Sequence, residues 1–161
     1  MPILALIVGA ALAALDQIIK YFVSVYIQPV GSVSVIDNIF KITYVENRGV
    51  AFGMFSDMRW FFIILTSVLI ISIIVFMFKK RPQSKMFYIS SALIIGGGIG
   101  NLIDRIFYGY VIDYLSVSFF PPVCNFADYC ITVGTVLFLV YVLFFSNFSK
   151  SDKERSIDNN D

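Results

Sequence analysis

Four apolar runs divide the chain, at residues 2 to 22, 60 to 78, 86 to 103 and 126 to 148. Each is near the ~20 residues an α-helix needs to cross the hydrocarbon of a bilayer, so the pattern predicts four membrane-spanning helices. No Lys or Arg precedes the first run, which continues through Asp16, Gln17 and Lys20, and this fits a retained helix rather than a cleaved leader. Asp16 and Lys20 fall one turn apart on one face and can pair near the membrane boundary. Between the runs lie 23 to 59, 79 to 85 and 104 to 125. From Phe40 to Tyr44 apolar and polar residues alternate as in a half-buried strand, and Gly31 to Ile36 is similarly rich in valine. Asp37-Asn38 supplies a turn between them. A small extracytoplasmic β-sheet resting on the outer membrane surface is therefore expected. Residues 1 to 148 are read as one membrane domain. The tail from 149 to 161 is polar, lacks periodicity and is expected to be disordered.

Composition agrees with a membrane protein, since 58% of residues are hydrophobic and only 14% charged. A soluble domain of this length could not keep so much apolar surface from water. The net charge of +1 gives no global field that would favour nucleic acid. Charge placement says more. Lys79, Lys80, Arg81 and Lys85 follow the second span, and Lys150, Lys153 and Arg155 follow the fourth. With four spans these segments share a side, and their basic bias makes it cytoplasmic. Both termini are then inside, while 23 to 59 and 104 to 125 are outside.

Histidine is absent, which removes Ser-His and Cys-His catalysis and any imidazole metal site. Cys124 and Cys130 cannot make a tetrahedral zinc site alone and are read as free, partly buried thiols. The polar residues with most to say stand at the outer ends of the last two spans. They are Asn101, Asp104 and Arg105 in GGGIGNLIDR, Asp113 in YGYVIDYLSV, and Asn125 and Asp128 in CNFADYCI. Ionisable groups near the membrane are expensive to desolvate, so they usually line a cavity and serve chemistry or transport. Asn101 and Arg105 are one helical turn apart and share a face, as do Asn125 and Asp128. A polar clamp between helices, a proton-coupled transporter and an enzyme all remain open at this point. A close pair of carboxylates cannot easily ionise twice, so it offers one acid and one base, as aspartic proteases require. The glycines Gly96, Gly97, Gly98 and Gly100 suit close helix packing, and Arg59 with Trp60 suits an interfacial anchor.

Five separated segments bring a family into view. LDQIIKYF, YVENRGVAFGMF, GGGIGNLIDR, YVIDYLSV and CNFADYCI together resemble lipoprotein signal peptidase, the bacterial signal peptidase II, over nearly the whole chain and in the same order. The resemblance implies an intramembrane aspartic endopeptidase of the bacterial cytoplasmic membrane, with its active site near the outer face. Such an enzyme removes signal peptides from diacylglyceryl-modified prolipoproteins by cutting before the lipid-bearing cysteine. By matching motif, Asp113 and Asp128 would be the catalytic pair. Asn47, Asn101, Arg105 and Asn125 would orient the pair or bind substrate, and Asp16 would support the fold. The fold implied is four transmembrane helices with a small sheet and a short outer helix or loop over the site. No metal or cofactor is implied. The partners implied are the prolipoprotein substrates and membrane lipid, for a chain expected to work as a monomer. Two features depart from the family pattern: Arg48 follows Asn47 where a small polar residue is expected, and the stretch from Asp113 to Asp128 is short.

Overall fold

A computed structural model of the chain describes residues 1–49 and 58–145. Helix α1 (Pro2–Phe22) opens with proline in its first turn, where a missing N–H costs no hydrogen bond, and continues as a π-helical turn, Val23–Ile27. Strands β1 (Ser32–Ile36) and β2 (Phe40–Asn47) follow. Helix α2 (Arg59–Lys80) stops at Arg81, which takes the left-handed conformation with φ 44°, and Pro82 then prevents continuation. Helix α3 (Lys85–Phe107) leads to strands β3 (Val111–Val117) and β4 (Phe120–Cys124), and helix α4 (Phe126–Val140) extends as a π-helical segment, Tyr141–Phe145. Among the described residues, four helices are long and apolar enough to cross a membrane: Pro2–Ile27, Arg59–Lys80, Lys85–Phe107 and Phe126–Phe145.

Helix α3 is the central element. Consecutive helical residues point about 100° apart, so three adjacent glycines meet three different helices. A Cβ on Gly96 would lie 2.8 Å from Gly9 O of α1, one on Gly97 would strike Ala127 O of α4, and one on Gly98 would lie 3.1 Å from Ile70 Cδ1 of α2. The outer faces of the bundle expose Ile64, Val68, Val133, Val136 and Leu139, as expected of surfaces that face lipid. At the end away from the sheet, Phe87 is buried among Phe76, Tyr88, Phe138 and Tyr141.

The sheet is antiparallel in the order β1-β2-β3-β4. Its first hairpin turns at Asp37-Asn38 as the sequence predicts, with Asn38 at φ 58° and Asp37 accepting from Ser34 Oγ at 2.8 Å. Its second half corrects the sequence reading, which left 104 to 125 without strands and put Asp113 at the end of a span. Helix α3 runs on through Asp104 and Arg105 to Phe107, and Asp113 lies in the middle of β3. Gly109, at φ 85°, makes the turn, its N–H bonded to Asp104 O at 3.2 Å. Pro121 and Pro122 lie in β4, an edge strand, where a missing N–H is tolerated. Residues 50–57, between β2 and α2, lie outside the described residues, as does the tail from 149 to 161.

Candidate active site

Asp113 and Asp128 come from different kinds of element. In β2 a bulge between Ile42 and Val45 resets the register, so that Val45 opposes Asp113 and Asn47 opposes Val111. Asn47 and Asp113 then share a face, and Asn47 Nδ2 donates to Asp113 Oδ2 at 2.7 Å. The Asn47 amide is held in that sense because its oxygen accepts from Gly49 N at 3.0 Å.

Asp128 occupies the first turn of α4, where free N–H groups favour negative charge. Asn125 and Asp128 are not the same-face helical pair that their spacing suggests. Asn125 is the N-cap, extended at φ −131° and ψ 177°, and the two form a capping box. Asp128 N donates to Asn125 Oδ1 at 2.9 Å, and Asn125 N donates to Asp128 Oδ2 at 3.1 Å. The Asn125 oxygen is thereby occupied and its Nδ2 reaches Asp113 Oδ1 at 2.6 Å. The same nitrogen lies 3.1 Å from Asn101 Oδ1, and Asn101 Nδ2 donates to Asp128 Oδ1 at 2.7 Å. Two asparagines therefore bridge the two carboxyl groups, and every carboxyl oxygen of the pair accepts at least one hydrogen bond.

The pair is asymmetric. Asp113 is 2% exposed, whereas Asp128 is only half-buried. Burial, and then the negative charge of Asp128, push the Asp113 pKa up to about 7. The hydrogen bonds from Asn47 and Asn125 and the charge of Lys20 pull it the other way.

Beneath the pair lies an ion cluster of which the sequence showed only one contact. Lys20 Nζ pairs with Asp16 Oδ2 at 2.8 Å, as the one-turn spacing predicts, and also with Asp104 Oδ2 at 2.7 Å. Gln17 Nε2 donates to Asp104 Oδ1 at 2.9 Å, Ile112 N to Asp104 Oδ2 at 3.1 Å, and Ala127 N to Asp16 Oδ1 at 3.0 Å. Asp16 therefore ties the start of α4 to α1, and Asp104 ties the start of β3 to the end of α3. The signal for Gln17 and Lys20 was their polarity inside an apolar run. Tyr114 carried no such signal, yet its hydroxyl oxygen accepts from Phe126 N at 3.1 Å at the head of α4.

Arg105 is half-buried, with its guanidinium 5.3 Å from the Phe62 ring centre and a long 3.4 Å bond to Asn101 O. Arg48 is exposed, pairs with Glu46 at 3.0 Å and lies 5.4 Å from the Tyr110 ring centre. Arg59 combines the anchoring role read beside Trp60 with a tether, donating to Ile106 O at the end of α3 at 2.7 Å. Cys124 and Cys130 are both free.

The profile of the family described as Signal peptidase (SPase) II matches residues 8–144. Among curated proteins, the chain is 43% identical over 142 residues to a lipoprotein signal peptidase of Caldanaerobacter subterraneus subsp. tengcongensis, covering 88% of this chain and 97% of that one. It is 39% identical over 147 residues to the lipoprotein signal peptidase of Clostridium acetobutylicum, covering 89% and 94%. Two solved structures of bacterial membrane enzymes, obtained by the in meso method, share the fold. One superposes with a TM-score of 0.77 at 29% identity, covering 86% of this chain and 87% of that one. The other gives 0.78 at 28% identity, covering 88% and 94%.

Proposed function

The chain belongs to the signal peptidase II family, and from that premise we propose that Asp113 and Asp128 are the catalytic pair of an intramembrane aspartic endopeptidase. As a member of that family it is a protease that removes signal peptides from prolipoproteins, and it is a multi-pass protein of the bacterial inner membrane. The observation that carries the aspartic reading is the bridge from Asp113 through Asn125 and Asn101 to Asp128, which joins a buried carboxyl group to a half-exposed one.

In this reading Asp113 begins protonated and Asp128 ionised. Asp128 takes a proton from a water as the water oxygen adds to the scissile peptide carbon, and Asp113 passes its proton to the carbonyl oxygen. As the tetrahedral intermediate collapses, the C–N bond breaks, the Asp128 proton goes to the leaving nitrogen, and Asp113 recovers a proton from the intermediate's hydroxyl. Both groups end as they began. Asn47, Asn101 and Asn125 orient the carboxyl groups, and Arg105, with little bonding of its own, is placed to bind substrate carbonyl groups. Asp16 serves the fold. The cut falls before the lipid-bearing cysteine of a diacylglyceryl-modified substrate. Both termini lie in the cytoplasm, the site lies near the outer face, and the chain works as a monomer.

The test is to incubate purified protein with a diacylglyceryl-modified proprotein and with its unmodified form, and to map the products by mass. Cleavage before the lipid-bearing cysteine is expected only with the modified form. Asp113→Asn and Asp128→Asn should insert and fold yet lose at least about 1,000-fold in rate, because an amide can neither act as the base nor supply the proton. Substantial cleavage by either variant would refute the pair.

A further inference from the structure

The Lys20 ammonium has three hydrogens and three acceptors. Two are the carboxylates of Asp16 and Asp104, which offset its charge, and the third is Asn101 Oδ1 at 2.9 Å. An ammonium group can only donate, so it dictates which end of the Asn101 amide faces it. With the oxygen turned to Lys20, the NH2 group must face Asp128, and it does so at 2.7 Å. A flipped amide would put hydrogens against the ammonium and an oxygen against the carboxylate. Asn125 Nδ2 also reaches the Asn101 oxygen, but at 3.1 Å and without charge, and charge-assisted hydrogen bonds are about twice as strong as neutral ones. Lys20 is itself fixed: it is 1% exposed, and the two carboxylates holding it are fully buried and bonded to Ala127 N, Ile112 N and Gln17.

We propose that Lys20 is a positioning residue for the hydrolytic reaction, acting through Asn101 to hold the Asp128 carboxylate in its reactive rotation. It touches neither water nor peptide at the reacting centre. A role confined to stability would leave turnover per folded molecule unchanged. The proposal rests on the assignment of Asp128 to the catalytic pair.

Lys20→Met alone strands two buried carboxylates without a cation and is expected to fold poorly. The charge-neutral double variant Lys20→Met/Asp104→Asn removes one charge of each sign and carries the test. Turnover of the lipidated substrate is measured per mole of folded protein, counted from the amplitude of the thermal transition. In the parent background kcat should fall about 10- to 100-fold, since small misplacements of reacting groups cost that much, while KM stays within about 2-fold. In an Asn101→Ser background the same double variant should change kcat by less than about 2-fold, because the group through which Lys20 acts is already gone. Parent-like kcat in the double variant, an equal loss in both backgrounds, or a double variant that does not fold would overturn the proposal. An inactive Asp128→Asn beside a fully active double variant would remove only the role of Lys20. An active Asp128→Asn would remove the catalytic pair itself.

Discussion

Asn47 works against the two influences that raise the Asp113 pKa, because its hydrogen bond favours the ionised carboxylate. If Asp113 must hold a proton, the parent enzyme should lose activity as pH rises through about 7, and at low pH it should lose activity again when the pair carries two protons. In Asn47→Ala the restraint on Asp113 is gone and its pKa rises further. The alkaline limb of kcat/KM should therefore move to higher pH while the maximum rate falls. An alkaline limb that stays in place, or moves down, would count against Asp113 as the proton carrier. Cys124, at the end of β4, pairs in register with Leu115 and so lies on the face of the sheet that carries Asp113. Burial first, and then the charges of Asp128 and Asp113, push its thiol pKa up, which suppresses the thiolate. Cys124→Ala should retain most activity, whereas a bulky thiol reagent should inhibit the parent and spare the alanine variant. A folded but inactive Cys124→Ala would bring the thiol into the chemistry. The identities of these side chains were legible in the sequence motifs. The sense in which each asparagine presents its amide was not, because Gly49 N, Lys20 Nζ and Asp128 N decide it, through local backbone geometry at Asn47 and Asn125 and through a different helix at Asn101.

The helices could be read from the sequence because length and hydropathy alone define a span, and α1 to α3 begin and end within a few residues of the apolar runs. Strands β1 and β2 announced themselves through alternation and an Asp-Asn turn. Strands β3 and β4 did not, because Asp113 interrupts an apolar stretch and two prolines stand in β4, whose strand character depends on pairing with β3. Gly100 shows how one small residue couples elements. A Cβ at this position would lie 2.5 Å from Asp16 Oδ2 and 3.3 Å from Ala127 Cβ. Gly100→Ala should push Asp16 away from Lys20 and Ala127 N and lower stability by roughly 1 to 3 kcal/mol, the usual cost of overpacking. Thermal unfolding in detergent would show this as a lower midpoint, and an unchanged midpoint would mean that α1 yields without strain.

For the whole molecule, the testable statement is orientation. Asp37, at the turn of the first hairpin, and Lys85, at the start of α3, are both exposed and lie at opposite ends of the bundle. In separate Asp37→Cys and Lys85→Cys proteins, each built without the native cysteines, an impermeant thiol reagent should reach position 37 from outside oriented vesicles and position 85 only from the cytoplasmic side. Labelling of both from one side would sink the topology. Motif order made the architecture legible at this scale, yet the ion cluster beneath the site stayed hidden because its members lie in the first and third spans. That cluster bears on how the chain enters the bilayer. Asp16 and Lys20 sit one turn apart in a single span, so the first helix can leave the insertion machinery with its ammonium already shielded by its own carboxylate. Asp104 makes no ion pair within its own helix among the described residues, and pairs instead with Lys20 of α1. The first helix thus acts as a resident acceptor for the third. An α3 arriving in its absence would hold Asp104 without the ion pair that the folded bundle gives it.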